Sequence, residues 1–185
     1  MGRFEFQKTP LEGVYEIIVE PYGDERGYFC ETYNLNDFRN NDIKSVFVQD
    51  NQSKSVKGVL RGLHFQKKFP QSKLVRVIEG EVFDVAVDIR KESKNFGKWF
   101  GTILSEQNKK QLFIPRGFAH GFQVLSDVAT FCYKCDEFYH PEDEDGIIWD
   151  DPDIGIEWPL KDNIILSEKD KNHQSFKEYV LGGRK

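Results

Sequence analysis

Lys73-Leu74-Val75-Arg76-Val77-Ile78-Glu79-Gly80-Glu81-Val82-Phe83-Asp84-Val85-Ala86-Val87-Asp88-Ile89 holds two apolar blocks rich in β-branched residues, separated only by Glu79-Gly80-Glu81. So short a connection reads as an antiparallel hairpin, with Gly80 where the turn needs a positive φ. Outward in both directions the pattern repeats. Short apolar or alternating blocks rich in Val, Ile, Phe and Tyr are broken by Gly, Pro, Asp or Asn about every 8 to 12 residues, the spacing of sandwiches and barrels. Strands are expected over residues 4–8, 14–20, 28–34, 45–53, 58–66, 73–79, 82–89, 99–104, 110–114, 121–125 and 128–138. Helix signals are confined to residues 35–40, behind Asn34 as N-cap, and to a turn opened by Ser167-Glu168-Lys169-Asp170, where Ser167 and Asp170 stand at nearly capping-box spacing. No repeat, low-complexity tract or linker interrupts the pattern. One all-β domain over residues 1–185 is the simplest account.

Composition removes several classes of function. The chain has 185 residues, 26 Lys+Arg against 31 Asp+Glu, 38% apolar and 14% aromatic residues. That is enough to build a core and too apolar for disorder. No apolar run is long enough for a membrane span, and a net charge of −5 without a basic block is a poor match for a phosphate backbone, so neither membrane nor nucleic acid is an expected partner. Three cysteines cannot complete a disulfide framework. The opening Met1-Gly2-Arg3-Phe4-Glu5-Phe6 has no basic-then-apolar leader pattern, so the expected compartment is the cytoplasm.

Two stretches carry the histidines best placed for chemistry: Gly58-Val59-Leu60-Arg61-Gly62-Leu63-His64-Phe65-Gln66 and Phe113-Ile114-Pro115-Arg116-Gly117-Phe118-Ala119-His120-Gly121. They resemble the two half-motifs of the cupin jelly roll, the second including Pro-x-Gly-x-x-His. The resemblance implies an all-β double-stranded β-helix with short peripheral helices. In metal cupins the first half reads His-x-His followed by Glu, which with the later His makes a cage of three imidazoles and one carboxylate. Here Gln66 occupies the second His position and Lys73 stands near the place of the Glu. A cation has the wrong sign for a metal ligand, so no catalytic metal is expected.

A lone His is ordinarily a satisfied core or surface residue, and the neighbours must decide. They are Asp24-Glu25-Arg26-Gly27-Tyr28-Phe29, Phe47-Val48-Gln49-Asp50-Asn51, Arg61-Gly62-Leu63-His64, Lys73-Leu74-Val75-Arg76-Val77, Phe83-Asp84-Val85-Ala86-Val87-Asp88-Ile89-Arg90, Tyr133-Lys134-Cys135, Trp149-Asp150-Asp151-Pro152-Asp153-Ile154-Gly155-Ile156-Glu157-Trp158-Pro159 and Leu166-Ser167-Glu168-Lys169-Asp170. In this order they resemble the dTDP-4-dehydrorhamnose 3,5-epimerases, a metal-free sugar-nucleotide branch of the cupins. The likeness covers residues 4–173.

The resemblance implies a cofactor-free homodimer whose N-terminal strands cross to the partner and supply part of the nucleotide site. Its reaction would convert dTDP-4-dehydro-6-deoxy-α-D-glucose to dTDP-4-dehydro-β-L-rhamnose, in dTDP-L-rhamnose biosynthesis. Inverting carbons beside a ketone needs a base for the α-proton, a cation or donor for the enolate oxygen, and an acid on the opposite face. By resemblance His64 is the base, paired with Asp170; Lys73 serves the enolate and Tyr133 is the acid. Arg26 and Arg61 match phosphate-side residues, and a guanidinium fork suits phosphate. Gln49, Asp50 and Asn51 match polar contacts, Glu31 and Lys169 nucleotide-side contacts, His120 a substrate contact deep in the barrel, Tyr139 the aromatic that stacks on thymine, and Glu144 a further substrate-binding acid. Asp84 is a candidate second orienting carboxylate. Taken singly, Asp170 reads as a helix cap, Lys73 as a strand-edge lysine and Tyr133 as core.

Cys132-x-x-Cys135, with His140 nearby, raises zinc, but residues an odd number apart on a strand face opposite ways, and structural thiols are expected. The rival readings are a related single-carbon epimerase or 3,4-ketoisomerase, a non-catalytic sugar- or nucleotide-binding cupin, and a metal-dependent oxygenase.

Overall fold

The computed structural model describes residues 4–182; Met1-Gly2-Arg3 lies outside them. In chain order the elements are β1 (Phe4–Lys8), β2 (Tyr15–Val19), β3 (Tyr22–Asp24), β4 (Gly27–Phe29), α1 (Leu35–Asn40), β5 (Gln49–Val56), β6 (Leu60–Gln66), β7 (Lys73–Glu79), β8 (Glu81–Asp88), β9 (Trp99–Ser105), β10 (Gln111–Ile114), β11 (Phe118–Val124), β12 (Val128–Cys135), β13 (Glu144–Gly146), α2 (Glu168–Lys171) and α3 (Phe176–Val180). Strands β1-β2-β10-β7-β12-β5 make a six-stranded sheet, β13-β6-β11-β8-β9 a five-stranded one, and β3-β4 a separate hairpin. The sheets pack face to face over Val75, Val77, Leu112 and Phe131 from the first and Val82, Ala86, Phe118 and Phe122 from the second. Each of these side chains larger than alanine contributes about 1.5–3 kcal/mol by leaving water. The result is a cupin-like jelly roll.

The outer faces are covered by the chain's two ends. Asn34 caps α1 by accepting from the backbone of Asn36 and Asp37, which holds Phe38 against Ile17, Leu74 and Phe113 of the six-stranded sheet. On the five-stranded sheet, Ile154, Trp158, Phe176 and Tyr179 cover Leu60, Val85 and Val87. Among the described residues no helix is long and apolar enough to cross a membrane.

The stretch from Lys73 to Ile89 corrects the hairpin reading. β7 pairs with β10 and β12, whereas β8 pairs with β11 and β9, so the turn at Gly80 carries the chain from one sheet to the other. Ser126 fastens this corner by accepting from the Glu81 N–H, and a Cβ at Gly80 would lie 2.0 Å from the Val128 carbonyl oxygen. The expected strand over 28–34 ends at Phe29, that over 45–53 begins at Gln49, and that over 128–138 ends at Cys135. Hairpin strand β3, short strand β13 and helix α3 were not expected. The signature of α3 was present: Ser175 and Glu178 form a capping box.

Candidate active site

The inner faces of the two sheets enclose a cavity of about 330 Å³. On the six-stranded wall, cross-strand register sets Gln49, Cys135 and Lys73 in one row and Asn51, Tyr133 and Val75 in the next. Side chains alternate along a strand, so Gln49, Asn51, Lys73, Tyr133 and Cys135 all reach the cavity from this wall. Arg61, His64, His120 and Glu144 line it from the five-stranded wall.

Arg61 and His64 are three apart and would face opposite sides of a regular strand. A β-bulge prevents this. His120 pairs with His64 and Phe122 with Arg61, so Gly62 and Leu63 together stand opposite Gly121. Gly62 has φ +135°, and a Cβ there would come within 2.5 Å of Gly121 Cα, so the bulge requires glycine.

His64 Nε2 lies 2.5 Å from Asp170 Oδ1. A carboxylate accepts, which assigns the ring proton to Nε2 and leaves a lone pair on Nδ1. Burial pulls the His64 pKa below its ordinary value, with Lys73 acting the same way, against the hydrogen bond and charge of Asp170. The ring is therefore neutral at pH 7. Burial raises Asp170, but the facing His173 imidazole and hydrogen bonds from His64 and Ser167 outweigh it and hold the carboxyl far below the carboxylate range. Ser167 caps α2 by accepting from the Asp170 N–H at 3.1 Å, while its hydroxyl donates to Asp170 Oδ2 at 2.7 Å. The residue whose N–H meets the Ser167 cap is thus also the base-orienting carboxylate.

Among the described residues no hydrogen bond or ion pair occupies Lys73 Nζ or the Tyr133 hydroxyl. Burial pulls the Lys73 ammonium down, offset in part by Cys135, Glu144 and Asp84. Burial, with Cys135 and Glu144, raises Tyr133 and keeps it a phenol despite Arg61. Deeper in, His120 Nε2 lies 2.9 Å from Asp84 Oδ2, both side chains buried. Near the mouth, Tyr139 donates to Glu144 at 2.7 Å and Lys169 also bonds that carboxylate; the first contact pushes Tyr139 up to about 12. Burial raises Glu144, but Lys169 and Tyr139 bring it below its ordinary value.

The cupin metal cage does not fit these residues. Gln66 has both ends of its amide engaged: Nε2 donates to the carbonyls of Phe69 and Phe138, and Oε1 accepts from the His140 N–H. It is a loop pin. His64 and His120 each give Nε2 to a carboxylate, and Lys73 is cationic. Sequence reading missed this role of Gln66, the place of Cys135 in the cavity wall, and His173, which packs against His64.

A family model described as dTDP-4-dehydrorhamnose 3,5-epimerase matches residues 8–178. The chain belongs to the dTDP-4-dehydrorhamnose 3,5-epimerase family. It is 58% identical over 180 residues to the epimerase of that name from Methanothermobacter thermautotrophicus, spanning 96% of this chain and 97% of that one. It is also 58% identical over 173 residues to that of Shigella flexneri, spanning 91% and 94%. The crystal structure of dTDP-6-deoxy-D-glucose-3,5-epimerase from Legionella pneumophila, in complex with dTDP-4-keto-L-rhamnose, superposes with a TM-score of 0.93 at 47% identity, covering 99% of each chain.

Four residues that family resemblance assigns to the substrate, Asp50, Arg26, Glu31 and Lys169, do not line the cavity. Asp50 alternates outward from Gln49 and Asn51 and pairs with Lys134 at 2.7 Å on the outer face, away from the cavity of its own chain. Arg26 sits in the turn between β3 and β4, held by Asp24 and 84% exposed, and Glu31 accepts from Asn34. Lys169 and Asp170 act from behind the wall, through Glu144 and His64.

Proposed function

We propose that this protein inverts C3 and C5 of dTDP-4-dehydro-6-deoxy-α-D-glucose, giving dTDP-4-dehydro-β-L-rhamnose, without a cofactor. The observation that carries the mechanism is the distribution of three groups: a neutral His64 on one sheet, a protonated Tyr133 on the facing sheet, and Lys73 in the same cavity. His64 Nδ1 takes the α-proton, and Asp170 steadies the imidazolium that forms. A ketone α-proton has a pKa of roughly 19 against about 6.5 for imidazolium, so transfer is uphill by about 17 kcal/mol. Most of the catalytic task therefore falls to Lys73, whose ammonium in a half-dry cavity meets the enolate oxygen. Tyr133 returns a proton to the opposite face, and Arg61 with the Tyr139–Glu144–Lys169 group serves the nucleotide end.

The same proposal includes a homodimer in the cytoplasm. Its support is the β3–β4 hairpin, which holds Arg26 away from its own cavity beside Tyr28 and Phe29, exposed at 62% and 69%. A partner's cavity would give all three a use. Three free thiols suit a reducing compartment.

Proton NMR in deuterated water tests the chemistry. Each turnover should place deuterium at both C3 and C5; label at one carbon only would mean a single-carbon epimerase. Tyr133→Phe should still wash deuterium into recovered substrate while product formation falters. Equal loss of both would make Tyr133 part of the base or enolate machinery. Activity should survive exhaustive EDTA treatment, and loss on chelation would overturn the cofactor-free reading.

A further inference from the structure

We propose that His64, Asp170 and His173 form a site for a divalent transition-metal ion, Zn²⁺ by donor type, that inhibits the enzyme from behind its base. The His173 side chain, just after α2, is 6% exposed, yet its Nε2 makes no hydrogen bond and faces Asp170 Oδ1 from 3.5 Å. Gly146 makes room for the ring, because a Cβ there would lie 2.5 Å from it. The imidazole stands edge-on to His64, ring centroids 5.4 Å apart. His64 Nε2, Asp170 Oδ1 and His173 Nε2 all lie within 4.8 Å of one another.

Two imidazoles and a carboxylate are a zinc donor set, and metal–ligand bonds of about 2.0–2.2 Å put tetrahedral donors roughly 3.3 Å apart. The present separations of 2.5 and 3.5 Å from Asp170 Oδ1 bracket that value. On binding, the ion takes the Nε2 lone pair of His64, and the ring proton passes through solvent from Nε2 to Nδ1, so the imidazole stays neutral and Nδ1 has no free lone pair to accept the α-proton. The ion takes Asp170 away from the imidazole and withdraws electron density from it. Proton abstraction slows while the substrate contacts of the cavity remain.

This inference rests on the epimerase reading only for its kinetic consequence; binding is read separately. Zn²⁺ titrated calorimetrically into chelator-stripped protein should bind at one ion per chain, with Co²⁺ giving a tetrahedral absorption spectrum. His173→Phe keeps the aromatic contact and removes the donor. It should weaken binding by roughly tenfold or more, since even an outer partner of a metal ligand is worth about 10- to 100-fold. His173→Asn provides the same comparison if the phenyl ring disturbs folding. Absence of saturable binding in the unsubstituted protein, or equal affinity in both variants, would overturn the site. With the 4-keto sugar nucleotide, Zn²⁺ should lower kcat, leave KM unchanged and be reversed by EDTA. A rise in KM alone would put the ion among the substrate contacts and overturn inhibition through the base.

Discussion

His64 and His120 stand opposite one another on neighbouring strands, each bonded through Nε2 to an aspartate, at 2.5 Å to Asp170 and 2.9 Å to Asp84. The carboxylates differ in origin and in what they have left to bond. Asp170 arrives from a helix 106 residues further along the chain, with both oxygens engaged by His64 and Ser167. Asp84 comes from the adjacent strand and keeps Oδ1 buried without a hydrogen-bond partner. An unsatisfied buried acceptor costs about 1–3 kcal/mol, so it calls for a reason. The pairs therefore do different work. The first is complete in the free protein and presents an imidazole that is 26% exposed as base, whereas the second holds a negative charge near Lys73.

Removing the first imidazole should have the largest effect. His64→Asn takes away the base while leaving a polar side chain, and general-base catalysis supplies about 10²- to 10⁴-fold. Turnover should fall by at least about 10² with KM little changed. Steady-state kinetics on a folded variant checks this, and near-normal activity would remove His64 from the mechanism.

Asp170→Asn comes next, because it leaves the imidazole but frees its tautomer. A drop in kcat on the order of tenfold or more is expected. The pH profile sharpens the test. Asp170 works to raise the His64 pKa against burial, so its loss should lower that pKa further. Activity falls as pH drops through the pKa of the base, and the acid limb of kcat/KM should therefore move to lower pH in the variant. A limb that moves upward would show that Asp170 does not face the base.

The difference between the pairs was only partly legible in the sequence. The all-β class follows from block spacing and the jelly roll from resemblance of the two half-motifs, but spacing does not say which blocks pair: the shortest connection, at Gly80, joins two sheets because Ser126 and Val128 close on it. Periodicity correctly separates Cys132, whose Sγ meets Gln52 on the outer face, from Cys135 in the cavity. The same rule would have separated Arg61 from His64. Only a bulge brings those two together, and Gly62 is its one trace in the sequence. Asp170 read as a helix cap because it stands in the capped turn of α2, and its long-range partner cannot be found by local pattern. Asp50 shares a motif with Gln49 and Asn51 but faces away from the cavity that they line.

The smallest effect should come from the second pair. Asp84→Asn preserves size and leaves an oxygen or amide facing His120, so His120 stays in place while the charge near Lys73 disappears. That charge raises the Lys73 pKa against burial. Without it the ammonium should lose its proton at lower pH, and the alkaline limb of kcat/KM should shift downward in pH. At neutral pH, where most of the ammonium survives, kcat should fall by less than about tenfold, as befits a group that acts through another. An alkaline limb that stays in place while kcat falls would assign Asp84 to holding His120 alone. A shift of the acid limb instead would tie it to His64 and erase the contrast between the pairs.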